Sequence, residues 1–303
     1  MTDSETITLG NRRIELSHLD KVLFPKSGIT KGELVDYYRR IADTMLPHLR
    51  ERPLSMHRFP DGIGKDGFFQ KNLPDYFPDW FDRVELEKEG GTVSYAVVGD
   101  AASLVYIANQ GCITPHLSLA RRDKPHRPDR LIFDLDPSDD DFGKVQQGAQ
   151  HLKALLDELE LPVFVQTTGS RGLHLVVPLD RSEDFDTVRA FSQDVARRLA
   201  ERHPKLLTVE HRKDKRGDRV FVDYLRNAYG QTSVAAYSVR AKEGGPVATP
   251  LRWDEAGASD LGPRKYTLKN LFRRLGRIED PWAGIGKQAV KLGKARDRLA
   301  KLD

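Results

Sequence analysis

The alternation of apolar and polar positions is clearest in the segment 131–137. This segment is apolar except for two aspartates and ends at a proline, a pattern that predicts a strand stopping there. Because successive side chains of a strand point to opposite faces, Ile132, Asp134 and Asp136 share one face and the intervening apolar side chains take the other. Two carboxylates at this spacing repel each other, and a divalent cation is a common partner for such a pair. The alternative is a solvated strand end that leads into the acidic turn 138–141.

The segments after residue 137 alternate between helical and strand periods. Ser138 predicts the N-cap of a helix whose apolar face runs from Val145 to Leu159. The further elements that the pattern predicts are a strand at 163–168, a hairpin turn at 169–172, a strand at 173–179, a helix at about 185–202 and a strand at 219–224. The order β-α-β-β-α-β is that of the split ferredoxin-like unit, in which the first and third strands are central and the fourth lies beside the first.

This topology predicts that four polar side chains meet on the open face of one sheet: Asp134, Asp136, His174 and Asp223. Three carboxylates in one place favour a metal site over a solvated surface. Convergent carboxylates build the two-metal sites that clamp the attacking and leaving oxygens of a phosphoryl displacement. Oxygen ligands suit Mg²⁺ or Mn²⁺ better than zinc. The turn 168–172 is interpreted as a phosphate cradle completed by His174, with an ordinary glycine-rich hairpin as the alternative.

The first 125 residues predict an N-terminal α/β subdomain. Thr30 and Glu33 have the spacing of a capping box, which predicts a helix that continues to about Leu49. The strands that the pattern predicts here are an opening hairpin at 6–9 and 13–16, then 54–59, 67–71, 83–86, 93–98 and 104–107. A further helix is predicted at 267–275.

The expected fold class is α+β. It combines the N-terminal α/β subdomain, residues 1–125, with a core at 126–303 built on the split β-α-β-β-α-β (ferredoxin/RRM-like) antiparallel sheet and a C-terminal helical tail. We expect the two parts to pack as one globular unit.

Composition narrows the class of protein. With 303 residues, 39% of them hydrophobic and 31% charged, the chain can form one large or two small domains with a substantial core. No apolar run reaches the length of a membrane span and no signal-peptide pattern opens the sequence, so no membrane association is expected. The single cysteine, Cys112, excludes a disulfide framework and a cysteine-based zinc cluster. These features predict a cytoplasmic protein.

The distribution of charge is more informative than its sum. The net charge is +4 and the isoelectric point is near 9.0, a modest basic excess. Basic residues crowd the segments 121–130 and 212–219, which lie just before two of the acid-bearing strands. Basic clusters beside acidic strand ends favour a polyphosphate or nucleic-acid partner, whereas the alternative for each cluster is a solvated surface.

Three motifs then carry a resemblance to a known family. The segments Phe133–Pro137 (FDLDP), Thr168–His174 (TGSRGLH) and Phe221–Asn227 (FVDYLRN) resemble the three motifs of the archaeo-eukaryotic primase superfamily. They are most similar to the polymerase domain of bacterial ligase D, which acts in non-homologous end joining. The resemblance extends from the loop 20–25 to the segment 279–282 and implies a primase-type catalytic core. No ligase or nuclease module accompanies these motifs.

The resemblance implies a template-directed nucleotidyltransferase that fills short gaps and extends 3′ ends, with a preference for ribonucleotides and manganese. Asp134, Asp136 and Asp223 would hold two Mn²⁺ or Mg²⁺ ions, and an NTP or dNTP would be the substrate. The residues implied to bind the nucleotide are Lys71, His116, Thr168, Ser170, His174, Arg216 and Arg240, although relatives often have serine at the position of Thr168. The residues implied to bind DNA are Lys21 and Lys31, at the 5′-phosphate of a gap, and Phe68 and Phe69, at the template strand.

The same resemblance implies partners. They are DNA with 5′-phosphorylated gaps or broken ends, the Ku end-binding protein and a DNA ligase module, with the enzyme itself a monomer in a bacterial or archaeal cytoplasm. Three alternatives stay open at this point. A haloacid-dehalogenase-type phosphatase also uses Asp-x-Asp after a strand but needs a parallel sheet, a non-catalytic DNA-end-binding module would use only the basic clusters, and a priming enzyme would belong to the same superfamily.

Overall fold

The computed structural model describes residues 4–88 and 90–302. In chain order the strands are β1 (Ser4–Leu9), β2 (Arg12–Ser17), β3 (Val22–Phe24), β4 (Ile29–Thr30), β5 (Pro53–Arg58), β6 (Phe68–Gln70), β7 (Arg83–Lys88), β8 (Gly91–Val97), β9 (Cys112–Ser118), β10 (Arg130–Asp136), β11 (Phe164–Thr167), β12 (Leu173–Pro178), β13 (Leu207–Thr208), β14 (Val220–Asp223), β15 (Thr232–Val234) and β16 (Pro250–Leu251). The helices are α1 (Lys31–Leu49), α2 (Ala101–Asn109), α3 (Phe142–Glu158), α4 (Phe185–Arg202), α5 (Trp253–Ala256), α6 (Leu271–Leu275) and α7 (Gly293–Leu299).

The chain divides into two compact units. Unit 1 comprises residues 1–118, 232–248 and 266–277, and unit 2 comprises residues 119–231, 249–265 and 278–303. The predicted division after residue 125 lies near the first of these boundaries, but two later segments return to unit 1. None of the helices in the described part of the chain combines the length and the apolar character needed to cross a membrane.

Unit 2 is built on a six-stranded sheet in the order β13-β14-β10-β12-β11-β16. The four predicted strands occupy its centre in the predicted order, and the α+β fold class with antiparallel pairing is confirmed. Leu131, Phe133 and Leu135 of β10 are fully buried on the face covered by α3 and α4. The antiparallel pairing of β10 with both neighbours contradicts the parallel arrangement that a dehalogenase-type phosphatase requires.

The start of α3 differs from the prediction. The N-cap is Asp141, whose carboxylate accepts a hydrogen bond from the backbone N–H of Gly143, so the prediction of Ser138 as N-cap is wrong. The hydroxyl of Ser138 instead donates to the backbone oxygen of Arg219 at 2.6 Å. Serine and aspartate are both common at the N-cap position, but the hydroxyl of Ser138 is engaged by Arg219, which leaves Asp141 to cap the helix.

Unit 1 contains an antiparallel sheet in the order β15-β9-β5-β8-β7, with β6 also pairing with β5. The predicted opening hairpin is confirmed as β1 paired with β2. The predicted helix is confirmed as α1, which begins with the capping box of Thr30 and Glu33. The predicted strand at 104–107 is wrong, because those residues belong to α2, and β9 was not predicted. An almost uniformly apolar segment shows neither period, and the capping box of Asp100 with Ser103 selects the helix.

The predicted helix at 267–275 is confirmed only in its second half, as α6. The side chain of Asn270 accepts a hydrogen bond from the backbone N–H of Thr267, which closes a turn before the helix begins. This pairing holds residues 267–270 outside the helix.

Candidate active site

A row of polar side chains crosses the sheet of unit 2 on the face opposite α3 and α4. In the strand register, Asp223 of β14 lies opposite Asp134 of β10, Asp134 lies opposite His174 of β12, and His174 lies opposite Gln166 of β11. Directly paired residues point to the same face of a sheet, so these four side chains are neighbours. Asp136 lies two residues further along β10 on the same face, opposite Phe221. The predicted convergence of Asp134, Asp136, Asp223 and His174 is therefore present.

The pKa values of two of the three carboxylates, Asp136 and Asp223, are raised. Burial, and next the charge of Asp134, raise the pKa of Asp136 to about 6. Burial is also the largest cause of the raised pKa of Asp223, and Asp134 adds to it. Arg226, which is not among the residues predicted for the site, acts in the opposite direction on both groups. The cluster thus concentrates negative charge that only a cation can fully compensate.

The register between the two acid-bearing strands depends on a buried amide. Asn227, fully buried, accepts a hydrogen bond from the N–H of Ile132 at 2.8 Å and donates to the oxygen of the same residue at 2.7 Å. A side chain thereby takes the place of a strand neighbour beyond the end of β14. It also donates to the backbone oxygen of Tyr224, which ties the segment after Asp223 to β10. Asn227 therefore holds Asp223 in register with Asp134.

The turn between β11 and β12 is closed by its own hydrogen bonds. The hydroxyl of Thr168 accepts from the backbone N–H groups of Ser170 and Gly172 and lies 3.1 Å from the oxygen of Gly172. Gly172 has to be glycine, because a Cβ there would overlap the backbone oxygen of Leu135. Arg171 donates to the backbone oxygens of Pro137 and Asp139, so the turn is tied to the end of β10. The predicted cradle residues Thr168 and Ser170 thus lie in a fixed loop beside the carboxylates.

Arg216 lies beside the same face. Its guanidinium carbon is 3.8 Å from the ring centroid of Phe221, and it donates to the backbone oxygens of Glu210 and His211. Since Phe221 is the register partner of Asp136, Arg216 brings a positive charge to the edge of the carboxylate site. His211, which the sequence analysis did not select, packs edge-on against Phe221 and acts electrostatically on Asp223.

The donor set of unit 2 fits a hard divalent cation. Three carboxylates and no thiolate match the oxygen ligands that Mg²⁺ and Mn²⁺ prefer, and their mutual repulsion is relieved by a positive ion. Within residues 4–88 and 90–302, no three His, Cys, Asp or Glu side chains lie in an arrangement that could hold a metal ion as they stand, so the carboxylates would have to move to bind one. Because Asp134 and Asp223 are directly paired, their Cβ atoms are about 5 Å apart, and side-chain rotation alone can converge their oxygens.

Unit 1 carries the other predicted residues, and some of them contact one another. The ring of Phe69, 56% exposed, stacks on His57 with centroids 4.1 Å apart and meets His116 edge-on at 5.2 Å. Burial and the charge of Arg240 lower the pKa of His57 to about 4, so this histidine is neutral near pH 7. His57 was not selected from the sequence, because its pairing with the exposed Phe69 joins two different strands, β5 and β6. Phe68, 47% exposed, lies under the guanidinium of Arg58.

The predicted lysines of unit 1 lie at two places. Lys21 and Lys31 are close enough for the charge of Lys21 to act on Lys31, and burial is the larger cause that lowers the pKa of Lys31 to about 8. Each already has an oxygen partner at 2.6 Å, Asp61 for Lys21 and the backbone oxygen of Ser17 for Lys31. Lys71 is exposed directly after β6.

The α+β fold and the row of carboxylates on its sheet can be compared with known protein families. A family model described as the LigD primase-polymerase domain matches residues 30–282. The chain therefore belongs to the LigD primase-polymerase family, a class of polymerase-type nucleotidyltransferases that depend on divalent metal ions.

Individual relatives agree with this family. The chain is 34% identical over 280 residues to the multifunctional non-homologous end joining protein LigD of Mycolicibacterium smegmatis, covering 91% of this chain and 36% of that protein. It is 35% identical over 288 residues to the protein of the same name from Pseudomonas aeruginosa, covering 94% of this chain and 34% of that protein. The chain thus spans about a third of the length of these two relatives.

A solved structure is also similar. The polymerase domain of Mycobacterium tuberculosis ligase D, in complex with DNA, matches with a TM-score of 0.86 and 31% sequence identity. The match covers 92% of this chain and 99% of that one. The similarity therefore extends over both units, including the strands that carry the candidate site.

Proposed function

We propose that this protein is a template-directed polymerase that extends 3′ ends and fills short gaps during non-homologous end joining. The observation that carries the proposal is the register of Asp223, Asp134 and His174 across three strands, in a chain that belongs to the LigD primase-polymerase family. The similarity to a polymerase domain solved with DNA supports DNA as the partner.

In this proposal Asp134, Asp136 and Asp223 hold two divalent ions. When bound, such ions lower the pKa of the attacking 3′-hydroxyl and neutralise the charge that develops at phosphorus. The carboxylates are held at the ends of β10 and β14 by a register that Asn227 fixes, so they keep their place as the substrate arrives. The raised pKa values of Asp136 and Asp223 reflect burial together with a charge density that a cation would relieve.

The nucleotide triphosphate would contact cationic and N–H donors. In unit 2 these are His174, Arg216 and the turn of Thr168 and Ser170. The hydroxyl of Thr168 serves the turn itself, so its part in the proposal is to shape a loop whose remaining donors face the phosphate. The other residues that the family resemblance implies for nucleotide binding, Lys71, His116 and Arg240, belong to unit 1.

The DNA would be bound through unit 1. The exposed rings of Phe68 and Phe69 offer apolar surface on which template bases can stack. Lys21 and Lys31 would bind the 5′-phosphate of a gap, where the N-terminus of α1 also favours an anion. A terminal phosphate dianion would replace Asp61 as the partner of Lys21 and would face two ammonium groups at once.

The finer parts of the proposal concern preference and partners. We expect ribonucleotides to be used more efficiently than deoxyribonucleotides, Mn²⁺ to support more activity than Mg²⁺, and Ku and a ligase module to act on the same break. We expect the protein to act as a monomer in the cytoplasm. These expectations rest on the family to which the chain belongs.

The test is primer extension by the purified protein on DNA with a short gap, with and without a 5′-phosphate, using each metal and each sugar. The expected result is incorporation that follows the template base and is more efficient on the phosphorylated gap. Incorporation independent of the template would contradict the proposed activity. Equal use of both gaps by the wild type would contradict recognition of the 5′-phosphate. A Lys21→Ala/Lys31→Ala double variant that still prefers the phosphorylated gap would move the phosphate site away from these two lysines.

A further inference from the structure

Gln166 is a buried polar residue that the catalytic proposal does not use. It lies on β11, is 2% exposed and is the register partner of His174. Its Nε2 atom lies 3.3 Å from Nδ1 of His174, while its Oε1 atom has no hydrogen-bond partner within the described residues. Burying a primary amide is unfavourable unless its hydrogen bonds compensate, so its bond to His174 needs an explanation.

The direction of that bond follows from the other side of the imidazole ring. Nε2 of His174 lies 3.3 Å from Oδ2 of Asp134. An ionised carboxylate can only accept a hydrogen bond, so Nε2 must carry the proton to make this contact favourable. In a neutral ring Nδ1 then holds a lone pair, and the NH₂ group of Gln166 is placed to donate to it.

We propose that Gln166 is a positioning residue that fixes His174 in the tautomer protonated at Nε2. The amide donates to Nδ1, which keeps an N–H donor directed at Asp134 and at the anionic groups that bind beside it. In the other tautomer the Nε2 lone pair would face the carboxylate of Asp134, and the ring would have no donor to offer a phosphate oxygen. The proposed contact of His174 with the triphosphate comes from the proposed function, but the tautomer itself does not depend on it.

Loss of the Gln166 donor should weaken nucleotide binding more than it slows the chemical step. Replacing Gln166 by methionine keeps the length and volume of the side chain but removes the donor to Nδ1. The two tautomers then become closer in energy, and part of the population loses the donor at Nε2. We expect the KM for the nucleotide to rise by about 3- to 10-fold, the range of one neutral hydrogen bond, with a smaller change in kcat.

The direct measurement is the ¹⁵N NMR spectrum of protein labelled at its histidines, read through two-bond correlations to the ring carbon-bound protons. The His174→Gln variant identifies the signals of His174. The wild type should show a protonated Nε2 and an unprotonated Nδ1, and Gln166→Met should show averaging between the two tautomers. The matched control is Gln146→Met, since Gln146 also lies in unit 2 and donates to backbone oxygens of Ala256 and Ala258. It should leave the His174 signals unchanged.

Two results would overturn the inference. One is a wild-type His174 protonated at Nδ1, which needs no variant and therefore decides the matter even if Gln166→Met fails to fold. The other is a folded Gln166→Met protein whose His174 signals match the wild type. Both spectra are recorded without nucleotide or metal, so failure of the polymerase proposal would show in the extension assay and not here. A nucleotide KM that is unchanged in a variant with altered tautomer would assign the triphosphate contact to another residue.

Discussion

At the scale of single residues, the candidate site works against the stability of the protein that contains it. Asp134, Asp136 and Asp223 are brought together on adjacent strands, and burial and mutual repulsion raise the pKa of Asp136 to about 6. Like charges at close range destabilise the folded state when no cation is bound. Acidic residues that lie together at a cost in stability are candidates for a functional role.

One prediction follows for the metal-free protein. Asp136→Asn keeps the shape of the side chain and removes one of the repelling charges, so its melting temperature in the presence of a chelator should be higher than that of the wild type. Differential scanning calorimetry at pH 7.5 measures this. The control is Asp157→Asn on α3, which removes an exposed ion pair with Lys153 and should give no increase. A lower melting temperature for Asp136→Asn would mean that the carboxylate is held by favourable contacts instead.

A second prediction concerns pH and the 5′-phosphate. Burial lowers the pKa of Lys31 to about 8, so Lys31 is largely charged at pH 7 and loses its charge as the pH rises through about 8. The preference for a phosphorylated over an unphosphorylated gap should therefore fall between about pH 7.5 and pH 9, measured by equilibrium DNA binding at constant salt. Lys31→Arg, which stays charged throughout, should flatten this dependence. A wild-type preference that is constant over this range would assign the phosphate to other groups.

The residues that sequence reasoning selected are those whose chemistry is visible along the chain. Aspartates at alternate positions of an apolar strand, and a histidine just after a glycine-rich turn, can be read without coordinates. Gln166 and His211 were not selected, because their significance comes from a register partner and from neighbours far along the chain. The one feature of the sequence that could have pointed to Gln166 is its position as a polar residue inside an otherwise apolar strand.

At the scale of elements, the site depends on the pairing of β10 with β14. Only a short part of β14 pairs with β10, and the amide of Asn227 continues the contact through the N–H and C=O groups of Ile132. A one-residue slip would turn Asp223 to the opposite face. The order and antiparallel sense of the central strands were predicted from the helical and strand periods of the sequence and from the turn at 169–172. The bonds of Asn227 to the backbone of Ile132 could not be predicted, because they join residues far apart in the chain.

A third prediction belongs to this scale. Asn227→Ala leaves buried backbone groups of Ile132 without their partners and should destabilise the protein by about 2–4 kcal/mol in urea unfolding. It should also reduce extension activity under conditions where the variant is still folded, because Asp223 loses its fixed register. Ser192→Ala is the control, since it removes one neighbour of Asn227 and leaves both bonds to Ile132. Activity equal to the wild type in folded Asn227→Ala would show that the register does not depend on this amide.

The two wrong predictions of elements in unit 1 concern α2 and β9. Residues 101–109 were assigned to a strand in part because an apolar segment that is buried nearly all round has no readable period, and only the capping box of Asp100 marks a helix. β9 was missed because Pro115 and His116 interrupt its apolar pattern, although Pro115 still fits as the partner of Met56. In β9, pairing partners overrode the local propensity.

At the scale of the whole molecule, the chain forms two units that are not continuous in sequence. Residues 232–248 and 266–277 return to unit 1, where β15 pairs with β9 and Tyr237 donates its backbone N–H to Ala248. Such a return is set by pairing between distant segments, which no local pattern contains. The boundary near residue 118 coincides with a change from short strands to the carboxylate strand and its helices, and that change is visible in the sequence.

The division of labour between the units follows the same boundary. Unit 2 holds the carboxylates, His174, the turn of Thr168 and Arg216, while unit 1 holds the aromatic rings, the lysines and Arg240. In the proposed function, unit 2 carries the chemistry and unit 1 recognises the DNA. Without the carboxylates, the residues that bind DNA and nucleotide would have no reaction to support.

Single-nucleotide extension by the three asparagine variants tests that claim most directly. Wild type, Asp134→Asn, Asp136→Asn and Asp223→Asn are compared with Asp157→Asn on one phosphorylated gap with saturating Mn²⁺ and nucleotide. The loss of a metal ligand is expected to lower the rate by at least about 100-fold in each of the three, with DNA binding retained and the Asp157 control active. Rates within a few fold of the wild type in all three variants would contradict the assignment of these carboxylates as the catalytic metal ligands.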